Sequence, residues 1–168
     1  ATRDDEGNEL FGGAVAVFGE AIRVPNSGAQ PGESLVIGGN IVVAGTVNTD
    51  GGTVALFTTG GNINVAGEVD TSVLQALDTP VAGGNIEMRA RRTEFPPLSS
   101  QEPEALTEGG GITVAEGARL VTGGGDVTLG LDATSSTASA YQIVVNGQID
   151  STGAADAVGG AVILVTAD

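Results

Sequence analysis

The sequence has 168 residues and contains no cysteine, histidine, lysine or tryptophan. Without cysteine or histidine, the chain cannot form disulfide bonds or zinc sites built from thiolate and imidazole ligands. The same absences, with that of lysine, exclude Ser-His, Cys-His and Schiff-base catalysis within the chain. Aromatic residues make up 3% of the sequence. This scarcity argues against a glycan-processing enzyme, whose sugar sites generally use aromatic platforms.

Basic residues are scarce as well, since 6 arginines stand against 21 aspartates and glutamates and the formal net charge is −15. A nucleic-acid-binding protein needs a basic surface, so nucleic acid is not an expected partner. A transmembrane segment is not expected either, because no apolar run approaches the roughly 18 residues that such a helix requires.

Glycine and aliphatic residues dominate the chain. It has 28 glycines, and 40% of its residues are hydrophobic, mostly valine, isoleucine, leucine and alanine. Valine and isoleucine favour strands, because their branched side chains pack well on a pleated surface. The composition therefore predicts a single all-β domain with many glycine-containing turns.

Two short patterns alternate along the chain. The first reads Gly-Asn-Ile-x-Val-x-Gly-x-Val, followed by Asn-Thr or Asp-Thr, and the second reads Gly-Gly-x-Val-x-Leu. Counted from the first apolar residue, copies of the first pattern start at residues 41, 63 and 143, and looser copies start at 15 and 112. Copies of the second pattern start at residues 54, 86, 127 and 162, and a weaker copy without the Gly-Gly pair starts at 35. Such self-similarity is typical of repeat architectures, in which each unit packs on its neighbours.

Each repeat has the spacing of three short strands. Apolar residues at every second position put alternate side chains on one face, and the glycine inside the first pattern marks a corner between two strands. The corner positions are Gly19, Gly45, Gly67, Gly117 and Gly147. The patterns therefore predict a parallel β-solenoid of about five coils, stacked about 4.8 Å apart. A β-sandwich or barrel of hairpins also fits the alternation, and a second register gives about six coils.

One segment interrupts the rhythm of the repeats. Residues 91–109 contain three of the six prolines and are predicted to form a long loop insertion that leaves the solenoid at a corner. Residues 1–12 are predicted to form an N-terminal cap or lead-in, and residues 13–168 the β-solenoid domain. A solenoid end without a cap invites stacking on a further coil.

The run Gly-Gly-Asn-Ile-x-Val-x-Gly-x-Val-Asp-Thr, followed by Gly-Gly-x-Val-x-Leu, resembles the repeats of filamentous-haemagglutinin-like exoproteins. The resemblance covers most of residues 13–168, except the loop at 91–109. It implies a right-handed parallel β-helix, a secreted or cell-surface location, and an adhesive or stalk-like role without catalytic residues. Members of this family are normally many times longer, so the resemblance implies either a segment of a larger exoprotein or a small protein built from the same coil.

Three polar residues follow the corner at equivalent places in their repeats, namely Asn48, Asp70 and Asp150. Stacked oxygens of this kind are a candidate Ca²⁺ site, and no other cofactor is expected. The alternative is a turn residue that accepts hydrogen bonds from backbone N–H groups. We favour this structural role.

The basic cluster of the sequence comprises Arg89, Arg91 and Arg92. On an acidic chain these side chains either pair with neighbouring glutamates or dock on an acidic surface, since arginine forms bidentate pairs with carboxylates. The cluster is therefore a candidate site of self-association or docking.

The expected function is that of a non-enzymatic, secreted or cell-surface structural or adhesive β-solenoid. Its expected partners are flanking coils or copies of itself, stacked end to end, and glycans or proteins on a host or neighbouring cell. A filament subunit that stacks through open solenoid ends is the first alternative. A β-helix that binds or degrades polysaccharide is the second, although glycoside hydrolysis requires two carboxylates at a set separation.

Overall fold

The computed structural model describes residues 2–3, 9–10, 12–26, 34–73, 81–100, 105–133, 142–153 and 158–166. These residues form strands and turns and contain no helix, so their fold is all-β, as the composition predicts. In chain order the strands are β1 (Thr2–Arg3), β2 (Glu9–Leu10), β3 (Val15–Pro25), β4 (Ser34–Gly38), β5 (Ile41–Val43), β6 (Thr46–Asn48), β7 (Val54–Thr59), β8 (Ile63–Val65), β9 (Glu68–Asp70), β10 (Ile86–Phe95), β11 (Leu106–Glu108), β12 (Ile112–Val114), β13 (Arg119–Val121), β14 (Val127–Ala133), β15 (Ile143–Val145), β16 (Gln148–Asp150) and β17 (Val162–Thr166).

Most strands belong to four repeats, each of which contributes one strand to each of three sheets. The first strands form sheet I in the order β5-β8-β12-β15, and the second strands form sheet II in the order β6-β9-β13-β16. Both sheets are parallel throughout. The third strands, β7, β10, β14 and β17, run parallel in sheet III, which the antiparallel strands β4 and β11 make mixed. Because the chain returns to each sheet once per repeat, this topology is compatible with a β-solenoid.

The core lies between the three sheets, in columns of aliphatic side chains. Each position in a repeat pairs in register with the same position in the next repeat. One column of sheet III runs through Leu56, Met88, Leu129 and Leu164, whose exposed fractions are 2%, 0%, 0% and 57%. The middle repeats are therefore buried by their neighbours, and the last repeat is covered on one side.

The chain crosses from sheet II to sheet III through a Gly-Gly turn that recurs in every repeat. The second glycines of these turns are Gly52, Gly84, Gly125 and Gly160. They stack so closely that a Cβ atom on Gly84 would lie 2.2 Å from the carbonyl oxygen of Gly52. The carbonyl oxygens of these glycines accept hydrogen bonds from the hydroxyl groups of Thr49, Thr71, Thr122 and Ser151. Glycine is needed here because the backbone of the neighbouring repeat occupies the space of a side chain.

The first predicted repeat, with starts at residues 15 and 35, is wrong. Val15 belongs to β3 and pairs in register with Val54 of β7, so β3 is a strand of sheet III. β4 then turns back antiparallel on β3, and Gly19 accordingly lies inside β3 and not at a corner. Both patterns have the same alternation of apolar and other residues. This alternation predicts which side chains face inward, but it does not predict which sheet the strand joins. The structure thus has four three-strand repeats preceded by the β3–β4 pair, not five coils.

The predicted loop insertion at 91–109 differs from the structure at both its ends. β10 continues beyond its pairing with β7 and β14 to Phe95, and β11 pairs antiparallel with this extension. Arg23 of β3 ties the extension to the β3–β4 pair, because its guanidinium donates hydrogen bonds to the Phe95 carbonyl oxygen at 2.7 Å and to Ser34 Oγ at 2.5 Å. Residues 101–104 of the predicted loop lie outside the described residues.

The predicted N-terminal cap at residues 1–12 is described in part. β1 and β2 pair antiparallel as a sheet of their own. Gly12 follows them, and its backbone N–H donates a hydrogen bond of 2.9 Å to the carbonyl oxygen of Asp50. Residues 1, 4–8 and 11 lie outside the described residues.

Candidate functional site

The polar residues Asn48, Asp70 and Asp150 lie at the ends of β6, β9 and β16. The side-chain oxygen of each accepts a hydrogen bond from the backbone N–H two residues further along the chain. This is the geometry of an Asx turn. Within the described ranges, no group of three or more Asp, Glu, His or Cys side chains is placed to hold a metal ion. Ca²⁺ binding at these corners stays a prediction from the sequence alone.

At the corner of the last repeat, hydrogen bonds favour the charged form of Asp150. Hydrogen bonds from the hydroxyl and then the backbone N–H of Thr152 lower the pKa of Asp150 below its ordinary value of 3.8. Because the folded state favours the carboxylate, its stabilising effect is present above pH 3.8 and is lost as the pH falls through the lowered pKa. We expect Asp150→Asn to keep the turn, as Asn48 does in the first repeat, and to reduce the fall in melting temperature on acidification.

The measurement is the melting temperature of both chains between neutral pH and the acid side of 3.8. Thr152→Val serves as the companion variant, because it removes the hydroxyl donor and leaves the carboxyl group in place. In this variant the pKa of Asp150 should move back toward its ordinary value in an NMR titration. An acid response of Asp150→Asn identical to that of the unaltered chain would contradict the assignment.

The remaining predicted corner glycines lie between the first and second strands of their repeats. Gly45, Gly67 and Gly147 are at the bends that precede β6, β9 and β16, and Gly117 is in the turn before β13. Gly117 has a φ of +80°, a left-handed conformation that glycine adopts without steric cost. A Cβ atom on Gly67 would lie 2.1 Å from the Gly45 carbonyl oxygen, whereas one on Gly45 would meet no atom within 4 Å.

The arginine cluster is divided between the two sides of β10. Arg89 and Arg91 face outward from sheet III, and the alternation of the strand turns Arg92 to the other side, next to Gly110. Nε of Arg89 donates a hydrogen bond of 2.6 Å to Oε1 of Glu87, an ion pair with both side chains partly exposed. Local pairing with a glutamate, one of the two roles expected for the cluster, is therefore present at Arg89. The docking role stays a prediction.

A shallow groove of about 310 Å³ lies on the outer face of sheet III beside these two arginines. The strand register places Phe18, Phe57 and Arg89 on one line across β3, β7 and β10. A second line, two residues further along the strands, contains Thr59, Arg91 and Asp132. The groove thus combines two phenyl rings with two guanidinium groups and one carboxylate.

Sequence reasoning missed this groove. It counted few aromatic residues, whereas the structure places two of the four phenylalanines on adjacent strands. A signal was present, since Phe18 follows Val15 at the same distance at which Phe57 follows Val54. The predicted repeats assigned Val15 to the first pattern and Val54 to the second, and so placed the two residues in different sheets. The equivalence of Phe18 and Phe57 was therefore not recognised.

The C-terminal end of the stack exposes side chains of the core type. Val162 and Leu164 are paired in register with Val127 and Leu129, which are 0% exposed. They are nevertheless 48% and 57% exposed themselves. In the part of the chain that the structure describes, no strand pairs with the outer edge of β17. This end therefore presents an apolar, open sheet edge.

The opposite end of the stack is apolar too. It contains a depression of about 300 Å³ that is lined mainly by residues of β3 and of the first repeat, among them Val15, Val17, Ile41, Val43 and Leu56. Val17 is 41% exposed there. Both ends of the stack thus expose aliphatic side chains of the kind that fill the core.

Comparison with known proteins gives no match. No family model, no curated protein and no solved structure matches the chain, and nothing among the results identifies filamentous-haemagglutinin-like repeats. As for the membrane, none of the described residues belongs to a helix that is long and apolar enough to cross it.

Proposed function

We propose that the chain is a right-handed parallel β-helix that serves as a non-enzymatic structural or adhesive module of a secreted or cell-surface protein. The three-sheet topology, with one strand per sheet in each repeat, supports the β-helix. The resemblance of the repeats to exoprotein repeats supports the extracellular location and the structural role. The single observation that carries the proposal is the exposed C-terminal face of the stack.

That face has the chemistry of an interface between repeats. Val162 and Leu164 are the counterparts of Val127 and Leu129, which are fully buried in the preceding repeat, yet about half of the surface of each residue is exposed. Exposed apolar surface destabilises a fold by roughly 25 cal/mol per Å² relative to burial, and an open parallel edge leaves unpaired N–H and C=O groups. A further coil stacked on β17 removes both costs. Continuation into another coil is how such a module extends a stalk.

The proposal predicts that one more repeat stabilises the protein. We expect a chain in which residues 134–166 are duplicated directly after Thr166 to fold the duplicate on β17. Because the duplicate covers Val162 and Leu164 of the original repeat, the free energy of unfolding should rise by about 2 kcal/mol. Urea unfolding followed by circular dichroism measures the gain, and limited proteolysis reports whether the duplicate is folded.

The control is the same extended chain with Val162→Asn and Leu164→Asn in the original repeat. This chain has the same length but lacks the apolar contacts, so its gain should be lost. A duplicate that is digested by protease and leaves the unfolding free energy unchanged would contradict the proposal, because β17 would then not accept a coil.

A filament subunit that stacks end to end is the second candidate, and the apolar character of both ends favours it. Head-to-tail contacts that do not close into a ring produce open filaments. Electron microscopy of the purified chain distinguishes the candidates. Fibres with the width of a single stack would support the filament subunit. If sedimentation instead shows a monomer at all concentrations, the filament is contradicted and the structural or adhesive module remains as the proposed function.

A further inference from the structure

We propose that the groove on the outer face of sheet III binds an extended, uncharged polysaccharide that runs along the stacking direction of the strands. The proposal goes beyond the proposed function, because it requires neither end-to-end stacking nor export. It rests on three features of the groove: a pair of phenyl rings, a charge-compensated set of polar groups, and their spacing.

The two phenyl rings form an apolar platform. Phe18 of β3 and Phe57 of β7 occupy the same line of the sheet and face outward together. Phe18 is 68% exposed, although phenylalanine is the largest apolar residue type in this sequence. An exposed phenyl ring at this position offers apolar surface to a ligand, and the C–H groups on one side of a pyranose ring form a matching apolar surface.

The polar groups beside the rings suit hydroxyl groups better than they suit an isolated charge. Arg89 is paired with Glu87 at 2.6 Å, and its side chain extends over Gly130, where the missing Cβ leaves room. Arg91 shares its line with Asp132 on the next strand. Guanidinium donors and a carboxylate acceptor therefore stand side by side, and a sugar hydroxyl both donates and accepts hydrogen bonds.

Charge also selects against an acidic polysaccharide. Within the lining the two guanidinium groups of Arg89 and Arg91 are offset by the carboxylate of Asp132, and Glu87 lies directly beside Arg89. The whole chain carries a net charge of −15, which repels a polyanion at a distance. An uncharged glycan avoids this repulsion and still satisfies the donors and acceptors of the groove.

The spacing of the groups fits a chain of sugars. Neighbouring strands of a sheet lie about 4.8 Å apart, which is close to the length of one pyranose residue in an extended glycan. Phe18, Phe57 and Arg89 are at consecutive steps of this spacing. Successive sugar units along the stacking direction would therefore meet the first ring, the second ring and the first guanidinium in turn.

The test is binding of the purified chain to cellohexaose, xylohexaose and chitohexaose, with hexagalacturonate as the carboxylated probe, measured by calorimetry and NMR shift mapping. We expect at least one of the uncharged hexasaccharides to bind. Phe18→Ala and Arg91→Gln should each weaken binding about tenfold, because they remove exposed apolar surface and a hydrogen-bond donor, respectively. Both side chains are exposed, so the melting temperature should stay close to that of the unaltered chain.

Matched controls lie outside the groove. Val42→Ala removes an exposed apolar side chain from the outer face of sheet I, and Arg119→Gln removes an exposed guanidinium from sheet II. Both should bind as the unaltered chain does. The proposal is overturned if no uncharged hexasaccharide binds, if hexagalacturonate binds more tightly than all of them, or if Phe18→Ala and Arg91→Gln bind like the controls. None of these outcomes depends on whether β17 accepts a further coil.

Discussion

Replacing Gly84 with alanine is expected to lower the free energy of unfolding by about 3 kcal/mol or more. The added Cβ atom would lie 2.2 Å from the carbonyl oxygen of Gly52 and 2.4 Å from its carbonyl carbon, and both atoms are backbone. The backbone cannot yield locally, because the Gly52 carbonyl oxygen accepts the hydroxyl hydrogen bond of Thr49 and Gly52 stacks in turn on Gly13. The clash can therefore be relieved only if the turn that contains Gly84 moves away from the turn that contains Gly52, which separates the two repeats there.

Gly45→Ala is the matched control for this prediction. Gly45 is also a turn glycine, but no atom lies within 4 Å of its Cβ position. The substitution should change the free energy of unfolding by less than about 0.5 kcal/mol. Urea unfolding of both variants provides the comparison. Equal midpoints for the two would show that the close stacking of the Gly-Gly turns contributes nothing to stability.

Truncating a side chain at the centre of the core is expected to give the second large loss of unfolding free energy. Leu129→Ala removes a side chain that is 0% exposed and lies between Met88 and Leu164 in one column of sheet III. We expect a loss of about 2–5 kcal/mol, since the cavity is enclosed by neighbouring repeats that can relax only in part. The measurement is again the free energy of unfolding in urea.

Leu164→Ala tests the same column at the end of the stack. This leucine pairs in register with Leu129 but is 57% exposed, so its truncation should cost about 1 kcal/mol or less at low protein concentration. A loss as large as that of Leu129→Ala would mean that the C-terminal face is covered in solution by another chain. Repeating the measurement over a range of concentrations separates the two cases.

The strands of the four repeats could be predicted from the sequence because their signals are local. Alternating apolar residues identify an inward face, and the glycine of each corner sets where a strand ends. The starts at Ile41, Ile63, Ile112 and Ile143 are therefore the starts of β5, β8, β12 and β15. Asx-turn bonding at Asn48, Asp70 and Asp150 was likewise predictable, because it involves the backbone two residues away.

The partners of the strands were less predictable, because pairing in a sheet is a non-local property. β3 has the alternation of a first-pattern strand, yet it pairs with β7 in sheet III. β10 runs beyond its repeat to Phe95 because β11 pairs with its extension, although the prolines nearby indicated a loop. In both cases a contact with a distant segment decided the structure.

The candidate groove, too, could be predicted from the sequence only in part. Sequence alone identified Arg89 and Arg91 as unusual on an acidic chain, but it grouped them with Arg92, which the strand turns to the other side. It did not connect them with Phe18 and Phe57, which come from two other strands. Only the register of sheet III assembles the rings and the guanidinium groups on one face.

Local signals in the chain suffice to predict an all-β fold, short strands bounded by glycine, and the inward-facing side chains of the four repeats. Long-range strand pairing sets how many repeats stack, which strands precede them, and which inward residues remain uncovered at the ends. The physical reason is that alternation and turn chemistry act within a few residues. The burial of a column depends instead on whether a neighbouring repeat is there to cover it.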